Sequence, residues 1–197
     1  MLGQFNKNSY INSIALTSTG EIIAAGLGAF TASPWDIYRG GIVKLSADGV
    51  MDNTFGLYTL PGDYSGLNKV MVTASNEIIA GGYSNNATVS SYAFVFLSLA
   101  GIPNVSIDDD GIVLSSNLPR AEIRDFTFQQ DGKLIYVASS YVDNFNTGLH
   151  VGRLLMSENS NSLESNEINE LSVFPNPTKE NLSIQVKEPT RIRVLNV

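Results

Sequence analysis

The chain has 197 residues, which is enough for one or two domains. Its net charge of −7 comes from 12 basic and 19 acidic residues. This balance argues against nucleic acid and against an anionic membrane surface as partners, since both require a basic face. The chain has no cysteine, which excludes disulfides, thiolate catalysis and cysteine-based zinc sites.

The composition favours strands over helices. Charged residues make up 16% of the chain, against about 25% in a typical protein. The many glycines and serines suit β-structure with frequent turns. No apolar run reaches about 18 residues, so we expect no membrane-spanning segment. Residues 1–10 lack the basic region and the apolar core of a signal peptide.

Three segments of the chain align at a constant offset of 56 residues. They are residues 11–26, 67–82 and 123–138, and apolar residues alternate within each of them. Alternation with a period of two places one face of a strand in a core. Equivalent apolar positions are Ile14, Val70 and Phe126; Leu16, Val72 and Phe128; and Ile22, Ile78 and Leu134.

A tight turn is predicted in the middle of each segment. Its central position holds Gly20, Asn76 or Gly132, which are residue types that tolerate a positive φ. A further strand is predicted to begin near residues 41–46, 94–98 and 151–155. Each unit would then have three or four antiparallel strands, which is typical of a propeller blade. We therefore predict an all-β fold, a partial β-propeller with units at residues 11–56, 67–113 and 122–157.

The first unit resembles the delta-60 repeat of bacterial β-propeller proteins. Residues 40–56, GGIVKLSADGVMDNTFG, follow a hairpin with a central Gly-Glu-Ile and carry the Val-Lys-Leu strand and the TFG ending. The second unit departs from the pattern at Asn76, at Phe96 and at residues 104–107. The third keeps residues 131–133 and 153–154 but ends differently. The resemblance implies a propeller fold, which hosts many activities.

Three blades are fewer than the four to eight of a typical ring. We therefore expect this chain to be the C-terminal part of a longer protein. An open array of three units is the alternative.

A linker and a tail are predicted after residue 157. Residues 158–170 are rich in serine, asparagine and glutamate and have few apolar residues, as flexible linkers do. Residues 171–197 contain a short strand, a Pro-Asn-Pro turn and a second alternating strand.

The tail resembles the C-terminal sorting domain of type IX secretion in Bacteroidetes. The motif residues are Val173, Phe174, Pro175, Asn176, Pro177 and Leu182. The resemblance implies export across the outer membrane, with the secretion machinery as partner, and a small β-sandwich fold. The domain normally continues beyond the element that ends here at Val197, so we expect a truncated, incomplete sandwich.

Loops after the second strand of each unit carry aromatic and amide side chains. Such groups suit a glycan or a protein ligand through stacking and hydrogen bonds. The candidate ligand-binding residues are Trp35, Tyr38, Arg39, Tyr83, Asn85, Tyr141 and Asn144. The alternative is that these aromatic residues pack beneath their own loops.

Catalytic and metal-binding patterns find little support. Asp108 and Asp110 lie in an acidic loop that is a weak calcium candidate, and a solvated loop is the alternative. His150 is the only histidine, so neither a metal triad nor a Ser-His-Asp set has local support. We expect no cofactor and no enzymatic activity.

The sequence thus predicts a secreted or cell-surface protein that serves adhesion or extracellular ligand binding. Two alternatives remain open. The chain could be an accessory part of an exported hydrolase whose catalytic domain lies elsewhere, or it could be a structural spacer.

Overall fold

The structure is a computed structural model and describes residues 9–29, 37–85, 90–115, 121–141, 147–154, 172–174 and 183–185. These residues form strands and turns and contain no helix. Their strands make three antiparallel sheets and one two-stranded ladder. The predicted all-β fold is confirmed for this part of the chain.

Each sheet is a meander in which strands adjacent in sequence are hydrogen-bonded neighbours. The first sheet comprises β1 (Tyr10–Leu16), β2 (Ile22–Ala29), β3 (Tyr38–Leu45) and β4 (Leu57–Thr59). The middle sheet comprises β5 (Tyr64–Val72), β6 (Glu77–Asn85), β7 (Ser90–Ser98) and β8 (Ile112–Ser115). The third sheet comprises β9 (Glu122–Phe128), β10 (Leu134–Tyr141) and β11 (Thr147–Leu154). The two-stranded ladder pairs β12 (Ser172–Phe174) with β13 (Ser183–Gln185). The prediction of three or four strands per unit is confirmed.

Tight turns of one type join the first two strands of all three sheets. Gly20, Asn76 and Gly132 have φ values of 85°, 63° and 79°. The amide of each donates to the carbonyl oxygen three residues earlier, at 3.0 Å. This is a hairpin loop that ends on a left-handed residue, so the predicted positive φ is confirmed. Gly49 and Gly101 end the same turn after the third strands of the first and middle sheets.

The core lies between stacked sheets. In β6, Ile78 belongs to a cluster shared with the first sheet, whereas Ile79 belongs to a cluster shared with the third. Both faces of the middle sheet are therefore buried, as the alternation of a strand requires. The cluster between the first and middle sheets contains Ile23, Ala25, Ile42, Leu60, Leu67, Val70, Ile78, Ala80, Ala93, Val95, Leu97 and Ile112. The cluster between the middle and third sheets contains Ile79, Tyr92, Phe94, Phe96, Ala121, Ile123, Phe126, Leu134, Ala138 and Leu154.

A β-bulge interrupts the first strand pair of every sheet. The bulged residues are Asn12, Asn68 and Arg124, which are 56 positions apart. Nδ2 of Asn12 donates to the carbonyl oxygen of Leu67 at 2.9 Å, and Nδ2 of Asn68 donates to that of Ile123 at 2.8 Å. Because a bulge re-aims its side chain, each asparagine reaches the next sheet of the stack.

In the first two sheets, polar side-chain contacts join the first hairpin to the segment that follows the third strand. Nζ of Lys44 lies 3.1 Å from Glu21 Oε1 and 3.2 Å from Asp52 Oδ2. In the middle sheet, Nδ2 of Asn104 donates directly to Oε1 of Glu77 at 2.9 Å. Two different sets of side chains thus join the hairpin to the segment after the third strand.

The described sheets are open and do not close into a ring. The outward faces of the first and third sheets carry exposed apolar side chains. The predicted linker, residues 158–170, lies outside the described residues.

Candidate ligand-binding site

The predicted binding residues flank the segments that join the second and third strands. Tyr38 begins β3 and Asn85 ends β6, and both lie at the end of the stack opposite the tight turns. Trp35 and Asn144 lie outside the described residues, and so does the side chain of Tyr141, the last residue of β10. The structure therefore locates Tyr38, Arg39, Tyr83 and Asn85 of the predicted set.

Three tyrosines from the first and middle sheets form a cluster at this end. The ring centroids of Tyr38 and Tyr64 are 5.8 Å apart in an edge-on arrangement, and those of Tyr64 and Tyr83 are 5.9 Å apart and stacked. Tyr64 is 43% exposed. We call Tyr38, Tyr64 and Tyr83 the tyrosine cluster. Tyr64 is the member of this cluster that contacts both of the other rings.

Tyr64 was absent from the predicted set. It lies at the start of β5, just after the connection from β4, whereas the predicted residues belong to the loops after the second strands. Its main chain pairs with Asn85, one of the predicted residues. One sequence feature could have identified Tyr64. Gly62 closely precedes an alternating strand, and this spacing places Tyr64 at the start of that strand.

The carboxylate of Glu122 acts electrostatically on the tyrosine cluster. Burial raises the pKa of the Tyr83 hydroxyl, and Tyr64 and the carboxylate of Glu122 raise it further. Glu122 forms an ion pair with Arg124 and accepts a hydrogen bond from Asn68 Nδ2 at 3.3 Å. The side chain of Arg124 is about half exposed. The carboxylate of Glu122 thus lies within electrostatic range of Tyr83, and its ion pair links Arg124 to it.

Arg39 does not belong to the tyrosine cluster. Successive residues of a strand point to opposite faces, so Arg39 faces away from the side on which Tyr38 meets Tyr64. Its Nε is buried and has no hydrogen-bond partner among the described residues. The structure therefore separates two neighbours that the sequence placed in one site.

The acidic loop forms a compact turn. Asp108 and Asp109 adopt positive φ values of 49° and 61°, which aspartate tolerates better than most residues. Asp110 Oδ1 accepts the amide of Ile112 at 2.8 Å. Burial raises the pKa of Tyr58 to about 12, with a smaller contribution from the Asp110 charge. The described residues contain no group of three acidic, histidine or cysteine side chains that could hold a metal ion.

Ser140 and His150 make a contact that no sequence pattern predicted. Ser140 Oγ lies 2.6 Å from His150 Nε2, on the adjacent strands β10 and β11. A nucleophile needs an exposed oxygen, and Ser140 is only 2% exposed. We interpret this contact as a structural hydrogen bond between neighbouring strands.

The tail motif falls mostly outside the described residues. Val173 and Phe174 belong to β12, and Val173 pairs with Ile184 of β13. The side chains of both motif residues, and all of Pro175, Asn176, Pro177 and Leu182, lie outside the part that the structure describes. The described part of the tail is one antiparallel pair of strands, and the predicted Pro-Asn-Pro turn lies outside the described residues.

Comparison with known proteins adds no relative. No known protein family matches the chain, and no curated protein matches it. Among the described residues, no helix is long and apolar enough to span a membrane.

Proposed function

We propose that this chain is a non-enzymatic, extracellular binding protein that recognises a glycan at the tyrosine cluster. The observation that carries the proposal is Tyr64, a 43% exposed residue whose ring contacts those of Tyr38 and Tyr83. Flat aromatic faces stack on the apolar faces of sugar rings, and nearby polar groups bind the sugar hydroxyls. In this proposal Glu122, which acts electrostatically on Tyr83, and its ion-pair partner Arg124 supply such polar groups.

The architecture proposed for this function is a partial β-propeller. Four-stranded antiparallel meanders that stack face to face are typical of propeller blades. The common turns and the bulges at 56-residue intervals support three copies of one unit. In propellers, loops at one end of the blades often bind ligands, and the tyrosine cluster lies at the loop end of this stack.

Export is the second part of the proposal. The Val-Phe-Pro-Asn-Pro motif at residues 173–177 would serve as a type IX sorting signal and deliver the protein to the cell surface. The test is expression with a signal peptide in a host that has this secretion system. We expect Pro175→Ala combined with Asn176→Ala to reduce surface delivery. Equal delivery of both forms would contradict the sorting role.

Binding is tested by a glycan array followed by titration calorimetry on the best ligand. Tyr64→Ala should weaken binding about two- to tenfold, since one aromatic stacking contact contributes about 0.5–1.5 kcal/mol. Tyr64→Phe should retain most of the affinity because it keeps the ring. Tyr10→Ala is the matched control, since Tyr10 is also exposed and makes none of the cluster contacts.

Two results would contradict the proposal. One is the absence of binding to any glycan by a correctly folded chain. The other is a glycan that binds with the same affinity when Tyr64 is alanine, which would place the site elsewhere. A protein ligand that loses affinity with Tyr64→Ala would keep the site and change the ligand class.

A further inference from the structure

The outward face of the first sheet carries exposed apolar side chains. Ile14 is 65% exposed and Leu16 is 64% exposed, and Ile11 on the same strand is also exposed. We call this surface the leading face. The equivalent residues 56 positions later, Leu67, Val70 and Val72, pack into the cluster between the first and middle sheets. Those a further 56 positions on, Ile123, Phe126 and Phe128, pack into the cluster between the middle and third sheets.

The outward face of the third sheet also carries exposed apolar side chains, but it corresponds to the face that each of the first two sheets turns toward the next sheet. Leu149 is 71% exposed and Val151 is 46% exposed, and Val137 opposite Val151 is also exposed. We call this surface the trailing face. The matching cross-strand pair in the first sheet is Ala25 with Ile42, and both residues are fully buried against the middle sheet. The matching pair in the middle sheet, Gly81 with Phe94, lies against the third sheet.

Each molecule therefore exposes both surfaces that form a sheet–sheet interface of this type, one at each end of the stack. Within the molecule, a trailing face meets a leading face twice, first between the first and middle sheets and again between the middle and third sheets. The leading face of the first sheet and the trailing face of the third would extend the same series. Exposed apolar surfaces of this kind mark interaction sites.

We propose that a second copy of this chain covers both faces. The two copies associate head to tail, with the leading face of each against the trailing face of the other. Head-to-tail contacts form a closed ring when the rotation between units allows it, and otherwise form open filaments. Two copies supply six sheets, which falls within the range of about four to eight blades in known propellers. The partner is therefore another molecule of the same protein, and the assembly stops at two.

The test is size-exclusion chromatography with light scattering on the full 197-residue chain. We expect a species of twice the chain mass of 21.2 kDa. Ile14→Asp on the leading face and Leu149→Asp on the trailing face should each raise the dissociation constant at least tenfold. Val105→Asp is the control, because Val105 is equally exposed but lies in the loop after β7. Far-UV circular dichroism checks that every variant keeps its strands.

Mixing the two variants distinguishes head-to-tail from like-to-like association. The Ile14→Asp copy keeps its trailing face and the Leu149→Asp copy keeps its leading face, so the mixture should form a two-copy species through one intact contact. The proposal is overturned if the unmodified chain is a monomer or an open filament. It is also overturned if Leu149→Asp leaves the dimer unchanged, or if no two-copy species forms on mixing.

Discussion

Asn68 donates a hydrogen bond from Nδ2 to the carbonyl oxygen of Ile123, 2.8 Å away, and so joins the middle sheet to the third. Asn12 makes the same bond to Leu67 at 2.9 Å between the first and middle sheets. At the third bulge the residue is Arg124, whose Nε donates to Ser139 Oγ within its own sheet. The asparagine bond therefore occurs at both interfaces between the stacked sheets.

Replacing Asn68 by alanine should lower the free energy of unfolding by about 1–3 kcal/mol. The substitution removes the amide donor and leaves the carbonyl of Ile123 without that partner. Chemical denaturation of the variant and the parent measures the difference. Asn53→Ala is the control, since Asn53 is exposed in a turn and should change stability by less than about 0.5 kcal/mol. Equal effects of the two substitutions would show that the inter-sheet bond contributes nothing.

At the positive-φ positions of the tight turns, we expect glycine to give a more stable protein than alanine. Gly132→Ala should cost about 1–2 kcal/mol, because φ is 79° there and no atom lies close enough to clash with the added methyl group. Asn76→Gly should raise stability or leave it unchanged, since Asn76 already holds a φ of 63°. Thermal unfolding of both variants provides the measurement. A neutral Gly132→Ala would mean that the turn relaxes to a negative φ.

Phe94 lies at the centre of the aromatic packing between the middle and third sheets. Its ring centroid is 5.4 Å from those of Phe126 and Tyr136 and 6.4 Å from that of Phe96. Phe94→Ala should cost about 3–5 kcal/mol, as expected for a fully buried ring. Phe55→Ala, at a partly buried ring near the turn end, should cost clearly less. Urea midpoints of the two variants that coincide would argue against a packed interface at Phe94.

The Lys44 contacts predict how stability depends on pH. Hydrogen bonds from Thr54 and from Lys44 hold the pKa of Asp52 below its ordinary value of 3.8, and Lys44 likewise lowers that of Glu21. A carboxyl with a lowered folded-state pKa contributes stability above its unfolded-state pKa, and this contribution disappears as pH falls through the folded-state value. Burial alone would lower the pKa of Lys44, but the two carboxylates outweigh it and raise the pKa.

Asp52→Asn should therefore make stability less sensitive to pH below about 4. Asn104 in the middle sheet shows that an asparagine at the corresponding place can accept the same bonds, since its Oδ1 accepts both the amide and the hydroxyl of Ser106. Denaturation at pH values from 2.5 to 6 is the measurement, with Asp48→Asn in a neighbouring turn as the control. An unchanged slope in Asp52→Asn would show that this carboxyl contributes nothing to the acid transition.

The three hairpins could be predicted from the sequence because their physics is local. Alternating apolar residues and a residue that tolerates positive φ define two strands and a turn without reference to the rest of the chain. The bulges could not be predicted in this way. Asn12 and Asn68 resemble ordinary polar residues in a strand, and only the stacked sheets reveal the carbonyl that each amide reaches.

The candidate site was predictable only in part. Tyr38 and Tyr83 flank the loops that the pattern singled out, and they lie in the tyrosine cluster. Arg39 was grouped with Tyr38 although strand alternation already places adjacent residues on opposite faces. Tyr64 comes from a different connection, and its position between the two other rings depends on packing between sheets.

The three sheets stack face to face, and the middle sheet is buried on both sides. The most direct test is nuclear Overhauser contacts between the rings of Phe94 and Phe126, which belong to different sheets and have centroids 5.4 Å apart. In a chain with selectively labelled phenylalanine, we predict a cross-peak between these rings that disappears in Phe126→Leu. A folded chain without this cross-peak would contradict the stacked arrangement.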